Sequence, residues 1–414
     1  MIEYKKFILK NGLTLLTHRD ASSPVAVINV LYKVGARNEH PEKTGFAHLF
    51  EHLMFSGSKN VKSFDKELQI AGGENNAFTC SDYTNYYITL PKENIETALW
   101  IESDRMLYPN ITQQNVDTQR SVVIEEFNQR YLNQPYGDIW LLLRPLAYKV
   151  HPYRWATIGK SIEHIKNATL DDVKCFFDAY YSPNNAIISI VADIEHEKIY
   201  ELVEKWFGEI PDRPTVNCEL PQEPQQTELR TLTVERNVPL TYLYKAYKMC
   251  NRKNADYYTC DLLTDILAGG KSSRLYRNLI KKTNLFASAN AFISGDLDEG
   301  LLIVSAHLLP DVDIKKAEEA IDGEIDKMRT TKVSEYELAK VNNKIESSQI
   351  YSETSIMNKA MMLGYYEMLG NIDLINSELD YYKAITVDDI MKVSQDVFSD
   401  ERCSVLYYKS AMSK

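Results

Sequence analysis

The sequence is short of the features that mark several large functional classes. Its six cysteines, among 414 residues, include no Cys-x-x-Cys pair, which excludes a zinc ribbon and leaves no disulfide framework; reduced thiols are the expectation. Sixteen glycines and 14 prolines are too few for a fibrous or low-complexity chain. Positive charge is in deficit, 47 basic against 58 acidic residues for a net charge of −11, which disfavours phosphate backbones and anionic lipid. Neither nucleic acid nor membrane is therefore expected as a partner. No apolar run reaches bilayer-spanning length, and the opening Met1-Ile2-Glu3-Tyr4-Lys5-Lys6 is no signal peptide, so a cytoplasmic setting is expected. Histidine is rare too, at eight, so two at helical spacing carry weight.

What is present is an ordinary folded composition, 44% hydrophobic and 25% charged, in a chain long enough for two domains or one duplicated domain. Asn11-Gly12 between apolar stretches predicts an opening hairpin, and Val25 to Val34 reads as strand. Gly45 to Phe55 turns helical; after Gly72-Gly73 a β-rich stretch runs from Asn76 to Leu90, followed by helices over Ile95 to Met106 and Gln113 to Tyr131. Ala186 to Ala192 is a continuous apolar strand, and Glu197 to Phe207 an amphipathic helix. Between Gly208 and Gln226 four prolines and many polar residues have linker chemistry, which predicts domains over 1–208 and 228–414 joined by 209–227. Thr169-Leu170-Asp171-Asp172-Val173 returns as Thr386-Val387-Asp388-Asp389-Ile390, and each copy precedes a helical and then a β-rich stretch. Duplication follows from that shared order, since Thr before two Asp would by itself be only a favourable helix start.

His48-Leu49-Phe50-Glu51-His52 places two imidazoles four residues apart on one helical face, where they can converge on one cation. Glu51 lies beside them, free to take a proton from a metal-bound water and return it to a leaving amine. A hydrolytic zinc site needs a third protein ligand, and the acidic pair Glu125-Glu126 supplies one; adjacent helical residues point about 100° apart, so one of the two faces the metal. Gly270-Lys271-Ser272 resembles the end of a phosphate loop, but Asp265 stands where that pattern needs glycine and the preceding stretch is helical.

With His48 to His52 on one helix and Glu126 at its distance along the chain on a later one, the sequence resembles the pitrilysin family of inverted-motif zinc metallopeptidases, which includes insulin-degrading enzyme and the mitochondrial processing peptidase. Asn76-Ala77-Phe78-Thr79, Trp100 to Met106, His151-Pro152-Tyr153 and Tyr181 to Ala186 extend the resemblance over most of the first half. It implies an α+β fold of two homologous domains, each a mixed, mainly antiparallel sheet packed with helices, in the family's half clam-shell. It implies one zinc per chain on His48, His52 and Glu126, Glu51 as catalytic base, and peptide clasped as an added strand against Asn76 to Thr79.

Two departures stand out. Where family members commonly carry a glutamate seven residues before the metal-binding one, this chain has Gln119, a neutral group for a supporting hydrogen bond. The Arg and Tyr that active members place in the second domain fall at Ile280 and Ala287. The resemblance therefore implies the metal-bearing half of a two-subunit peptidase, with a homologous subunit supplying the Arg/Tyr pair. A homodimer is the fallback, and a non-catalytic structural or partner subunit the alternative.

Overall fold

The computed structural model describes residues 1–214, 216, 219–295 and 297–412. They pack into two compact units, one of Met1–Gln129, Trp155–Leu220 and Gln349–Asn376, the other of Arg130–Arg154, Pro221–Ser348 and Ser377–Lys414. Compactness thus departs from a linear division at 209–227: residues 130–154 pack in the second unit and 349–376 in the first. We propose 1–208 and 228–414 as homologous domains in sequence, joined by 209–227, with these two segments exchanged in the packing. Within the expected linker the chain passes from the first unit to the second at Leu220 and Pro221, and Thr215, Asn217 and Cys218 lie outside the described residues.

The first sheet is built from β1 (Lys5–Ile8), β2 (Thr14–Arg19), β3 (Val25–Tyr32), β4 (Glu74–Thr79), β5 (Thr84–Pro91) and β6 (Ala186–Ala192), in the order β1-β2-β6-β3-β5-β4. The second contains β7 (Arg230–Arg236), β8 (Tyr242–Met249), β9 (Phe286–Ser294), β10 (Gly300–Leu308) and β11 (Cys403–Ser410), in the order β7-β11-β8-β10-β9. Setting β1 aside, the two orders are the same. In each sheet one pair is parallel, β2 with β6 and β7 with β11, and the other pairs are antiparallel. The two copies of the threonine motif cap equivalent helices, Leu170–Tyr180 and Val387–Val397, each through a capping box in which Thr and Asp exchange hydrogen bonds with the backbone. The strands that follow start at Ala186 and Cys403, at the same offset along the chain as Thr169 and Thr386. Both units therefore have the α+β architecture of a duplicated domain.

Why each sheet is covered on both faces is visible in its central strands. All of Ala186–Ala192 is buried, so this strand reads as an unbroken apolar run rather than an alternation. Helix Ile356–Leu369 packs on β3 and β6, with the Ser189 hydroxyl donating to Ala360 O at 2.6 Å. The approach is close at Gly364, where a Cβ would lie 3.1 Å from Asn29 Nδ2. In the second unit helix Ile139–Ala147 takes the corresponding place on β7, β8 and β11, and the starts of these two helices, Ile139 and Ile356, share that same offset.

The metal-motif region uses four helices: α1 (Phe46–Leu53), α2 (Phe64–Ile70), α3 (Ile95–Leu107) and α4 (Gln113–Phe127). The opening hairpin forms as predicted, with Gly12 at φ +82° in its turn. The helix expected over Gln113 to Tyr131 ends as α-helix at Phe127 and continues as a π-turn, Asn128–Leu132.

Candidate metal centre

Helix α1 is amphipathic at short range. Phe46, Ala47, Leu49, Phe50 and Leu53 are buried, and this leaves His48, Glu51 and His52 together on the partly exposed side. The Phe50 ring anchors the buried side against Tyr181 and Phe177, at centroid distances of 4.2 and 5.9 Å. The start of the helix is fixed by Gly45 at φ +87°, where a Cβ would lie 2.6 Å from Ile158 O, so only glycine fits. There the Glu39 carboxylate accepts from the backbone N–H groups of Gly45 and Ala47, both at 2.8 Å, satisfying donors that the helix itself leaves open. Burial pushes the Glu39 carboxyl up to about 8, against the downward pull of those backbone hydrogen bonds.

Helix α4 starts at Thr112, whose hydroxyl accepts from Asn115 N, and buries Val116, Val123 and Phe127. That rotation turns Glu126 toward α1. Glu126 Oε2 lies 3.2 Å from His52 Nε2 and 3.7 Å from His48 Nε2, and one ligand atom from each of the three residues lies within 4.8 Å of the others. The imidazole planes are nearly perpendicular, at 86° with centroids 4.7 Å apart. Zinc bonds of 2.0–2.2 Å in tetrahedral geometry set neighbouring ligand atoms about 3.3 Å apart, so two imidazoles and a carboxylate at these separations fit a divalent ion of that size. Glu125 is exposed and accepts from Gln129 Nε2 at 3.0 Å, outside the cluster.

Glu51 is not one of the three clustered residues, and its Oε2 accepts from Thr79 Oγ1 at 2.5 Å. Thr79 closes β4, the edge strand of its sheet, which carries Asn76 to Thr79 beside α1. In β4 the Ala77 N–H donates to the Asn76 side-chain oxygen at 2.8 Å, whereas Cys80 N pairs inward with Tyr83 O. Ala77 therefore turns its backbone outward, and Phe78 faces β5. Gln119, on the face of α4 that bears Glu126, donates from Nε2 to Ser56 Oγ at 3.4 Å. In the second unit Ile280 packs on the core and Ala287 is exposed at the start of β9, so neither position carries a cation or a phenol. Sequence reasoning passed over Glu39 and the Thr79 contact to Glu51. Both partners lie across loops, and no local spacing announces them.

A metallopeptidase is the class of protein that this fold and this centre define. The description "Insulinase (Peptidase family M16)" matches residues 14–136, and "Peptidase M16 inactive domain" matches residues 167–345. The chain is 30% identical over 413 residues to the zinc protease PqqE of Helicobacter pylori, covering 98% of this chain and 93% of that one. It belongs to peptidase family M16. A crystal structure of a protease from Helicobacter pylori superposes with a TM-score of 0.93 at 29% identity, over 99% of this chain and all of that one. The mitochondrial-processing peptidase subunit beta of Saccharomyces cerevisiae is 27% identical over 267 residues, 63% of this chain and 57% of its own. No helix among the described residues is long and apolar enough to cross a membrane.

Proposed function

We propose that the chain is a zinc-dependent endopeptidase for unfolded polypeptides, with one zinc held by His48, His52 and Glu126 and with Glu51 as the proton carrier. The observation that carries this reading is the meeting of those three side chains within 4.8 Å, with Glu51 on the same helix but outside the ligand set. Zinc, when bound there, supplies the Lewis acidity that brings the pKa of a water toward neutrality and polarises the scissile carbonyl. Glu51 takes the proton of the attacking water and passes it to the leaving amine nitrogen. Thr79 donates to Oε2 and so helps fix the carboxylate's rotamer. Gln119 holds the turn after α1 through Ser56 without adding negative charge beside the ligands. The edge of β4 takes substrate by strand addition: main-chain hydrogen bonds to the outward-facing Ala77 supply affinity with little regard to sequence.

The test is a quenched-peptide assay with metal analysis of wild type and Glu51→Gln. The variant should keep one zinc per chain while its turnover falls roughly 10²- to 10⁴-fold, the usual worth of a positioned general base. Equal turnover by the two proteins would count against catalysis at this centre. Because Ile280 and Ala287 cannot supply the Arg/Tyr chemistry, we further propose that the chain works as the metal-bearing subunit beside a homologous one. The likeness to a processing-peptidase subunit named beta supports this reading.

A further inference from the structure

A strand–turn–helix reversal in the second unit brings Cys250 and Cys260 together. Strand β8 ends at Met249, which pairs with Gly300, so Cys250 is the first residue past the ladder. The chain then turns at once: Asn254 N donates to Asn251 O and Lys253 N to Asn251 Oδ1, both at 3.1 Å, before the helix Asp256–Ala268 begins. Cys260 is the fifth residue of that helix, about 6 Å along its axis, and it belongs to the apolar core against which Cys250 packs. Both residues line a cavity of about 460 Å³ bounded by the end of β8, residues 223–226 and helix Val387–Val397, and neither belongs to the metal centre.

The two sulfurs differ in access and in proton affinity. Cys250 is half-buried, whereas Cys260 is fully buried, and both are free thiols. A hydrogen bond from the Cys260 thiol holds the Cys250 thiol below its ordinary range, against burial and the negative charges of Asp256 and Asp396. The same contact, with burial, pushes the Cys260 thiol up. Thiolate character therefore collects on the sulfur that a small solute can reach, and the proton stays on the one behind it. That is the division needed between an attacking cysteine and a resolving one. Because Cys250 lies past the last paired residue of β8, no ladder hydrogen bond opposes its approach to Cys260.

We propose that Cys250 and Cys260 are an oxidative modification site, a dithiol that a hydroperoxide entering the cavity converts to an intramolecular disulfide. The Cys250 sulfur attacks one peroxide oxygen and the O–O bond breaks, which leaves a sulfenic acid on Cys250. With hydrogen peroxide, the departing hydroxide takes the proton given up by the Cys250 thiol and leaves as water. The Cys260 sulfur then attacks the sulfenic sulfur; its own proton and the sulfenic hydroxyl leave as a second water. Two thiols are oxidised by two electrons, and one peroxide is reduced to two waters. The disulfide ties the end of β8 to the helix Asp256–Ala268. The inference goes beyond the peptidase reading and does not depend on it.

The test treats the full, reduced chain with increasing hydrogen peroxide, quenches it with catalase, alkylates it in denaturant and maps its peptides by mass spectrometry without reduction. Wild type should yield a peptide cross-linked between Cys250 and Cys260, with the loss of two hydrogens, about 2 Da, reversed by dithiothreitol. In Cys260→Ala the oxidation should stop at a sulfenic acid on Cys250 that dimedone traps. In Cys250→Ala the buried Cys260 should stay a thiol. Thermal melts check that both variants fold, and the wild-type map decides the proposal whether or not they do. Recovery of Cys250 and Cys260 as alkylated thiols from wild type, at peroxide levels that oxidise the exposed Cys175, would overturn it. So would dimedone-trapped Cys250 beside an unreacted Cys260 in wild type, because the second sulfur would then not resolve the first.

Discussion

Glu39 brings a carboxyl group into the interior to meet the first backbone donors of the helix that carries His48 and His52, and the cost of doing so has a pH signature. Its folded-state pKa is about 8, well above the ordinary value of 4.5, with burial the main cause. Between those values the folded protein holds a proton that the unfolded chain has released. The stability this carboxyl contributes is therefore complete below about pH 4.5 and lost as the pH rises through about 8. Thermal melts from pH 5 to 9 should show wild type losing stability with pH relative to Glu39→Gln, by up to about 1.4 kcal/mol per pH unit for one proton. Parallel pH profiles for the two proteins would show that Glu39 does not titrate in that window. Thr79 acts on the same scale, since a single hydroxyl holds one oxygen of Glu51.

Among the elements, β4 joins the sheet to the chemistry. Its inner edge pairs with β5, its last residue touches Glu51, and its outer edge presents Ala77. The alternation of an antiparallel strand decides which proline would matter. At Phe78 the ring would remove a donor facing β5, and at Ala77 it removes one facing outward. Ala77→Pro should therefore raise KM for long peptides several-fold while leaving zinc content and thermal stability near wild type; unchanged KM would place the peptide elsewhere. The Asn76 side chain occupies this donor, so the proposed strand addition requires its displacement. Helix α1 has the complementary task. Short as it is, it is fixed at its start by Gly45 and Glu39 and along its side by Phe50, so its two histidines meet α4 from a constrained position.

For the whole molecule, duplication has produced two units of the same strand order, of which only the first carries a metal-ligand cluster among the described residues. The second has Ile280 and Ala287 where the resemblance calls for Arg and Tyr. A single chain should then show slow peptide turnover, with a large gain when a homologous chain bearing Arg and Tyr is added. Steady-state assays combined with sedimentation would decide it, and full turnover by the purified chain as monomer or homodimer would remove the two-subunit reading.

Local periodicity is short-ranged and therefore legible. The spacing of His48 and His52, the buried run Ala186–Ala192, the Asn11-Gly12 turn and the repeated threonine cap are each decided by residues within a turn or a strand of one another, and the sequence by itself determined them. It also announced the duplication, because the offset between the two threonine motifs survives in the order of elements around them. Spacing alone left Glu125 and Glu126 open; the buried face of α4, packed through Val123 and Phe127, turned Glu126 inward. Only the tertiary structure decided that residues 130–154 and 349–376 pack away from their sequence neighbours, because apolar faces find partners by shape and not by position in the chain. The same holds for Glu39 beneath α1 and Thr79 against Glu51. Each depends on a contact made across a loop, and no pattern confined to one helix or strand encodes such a meeting.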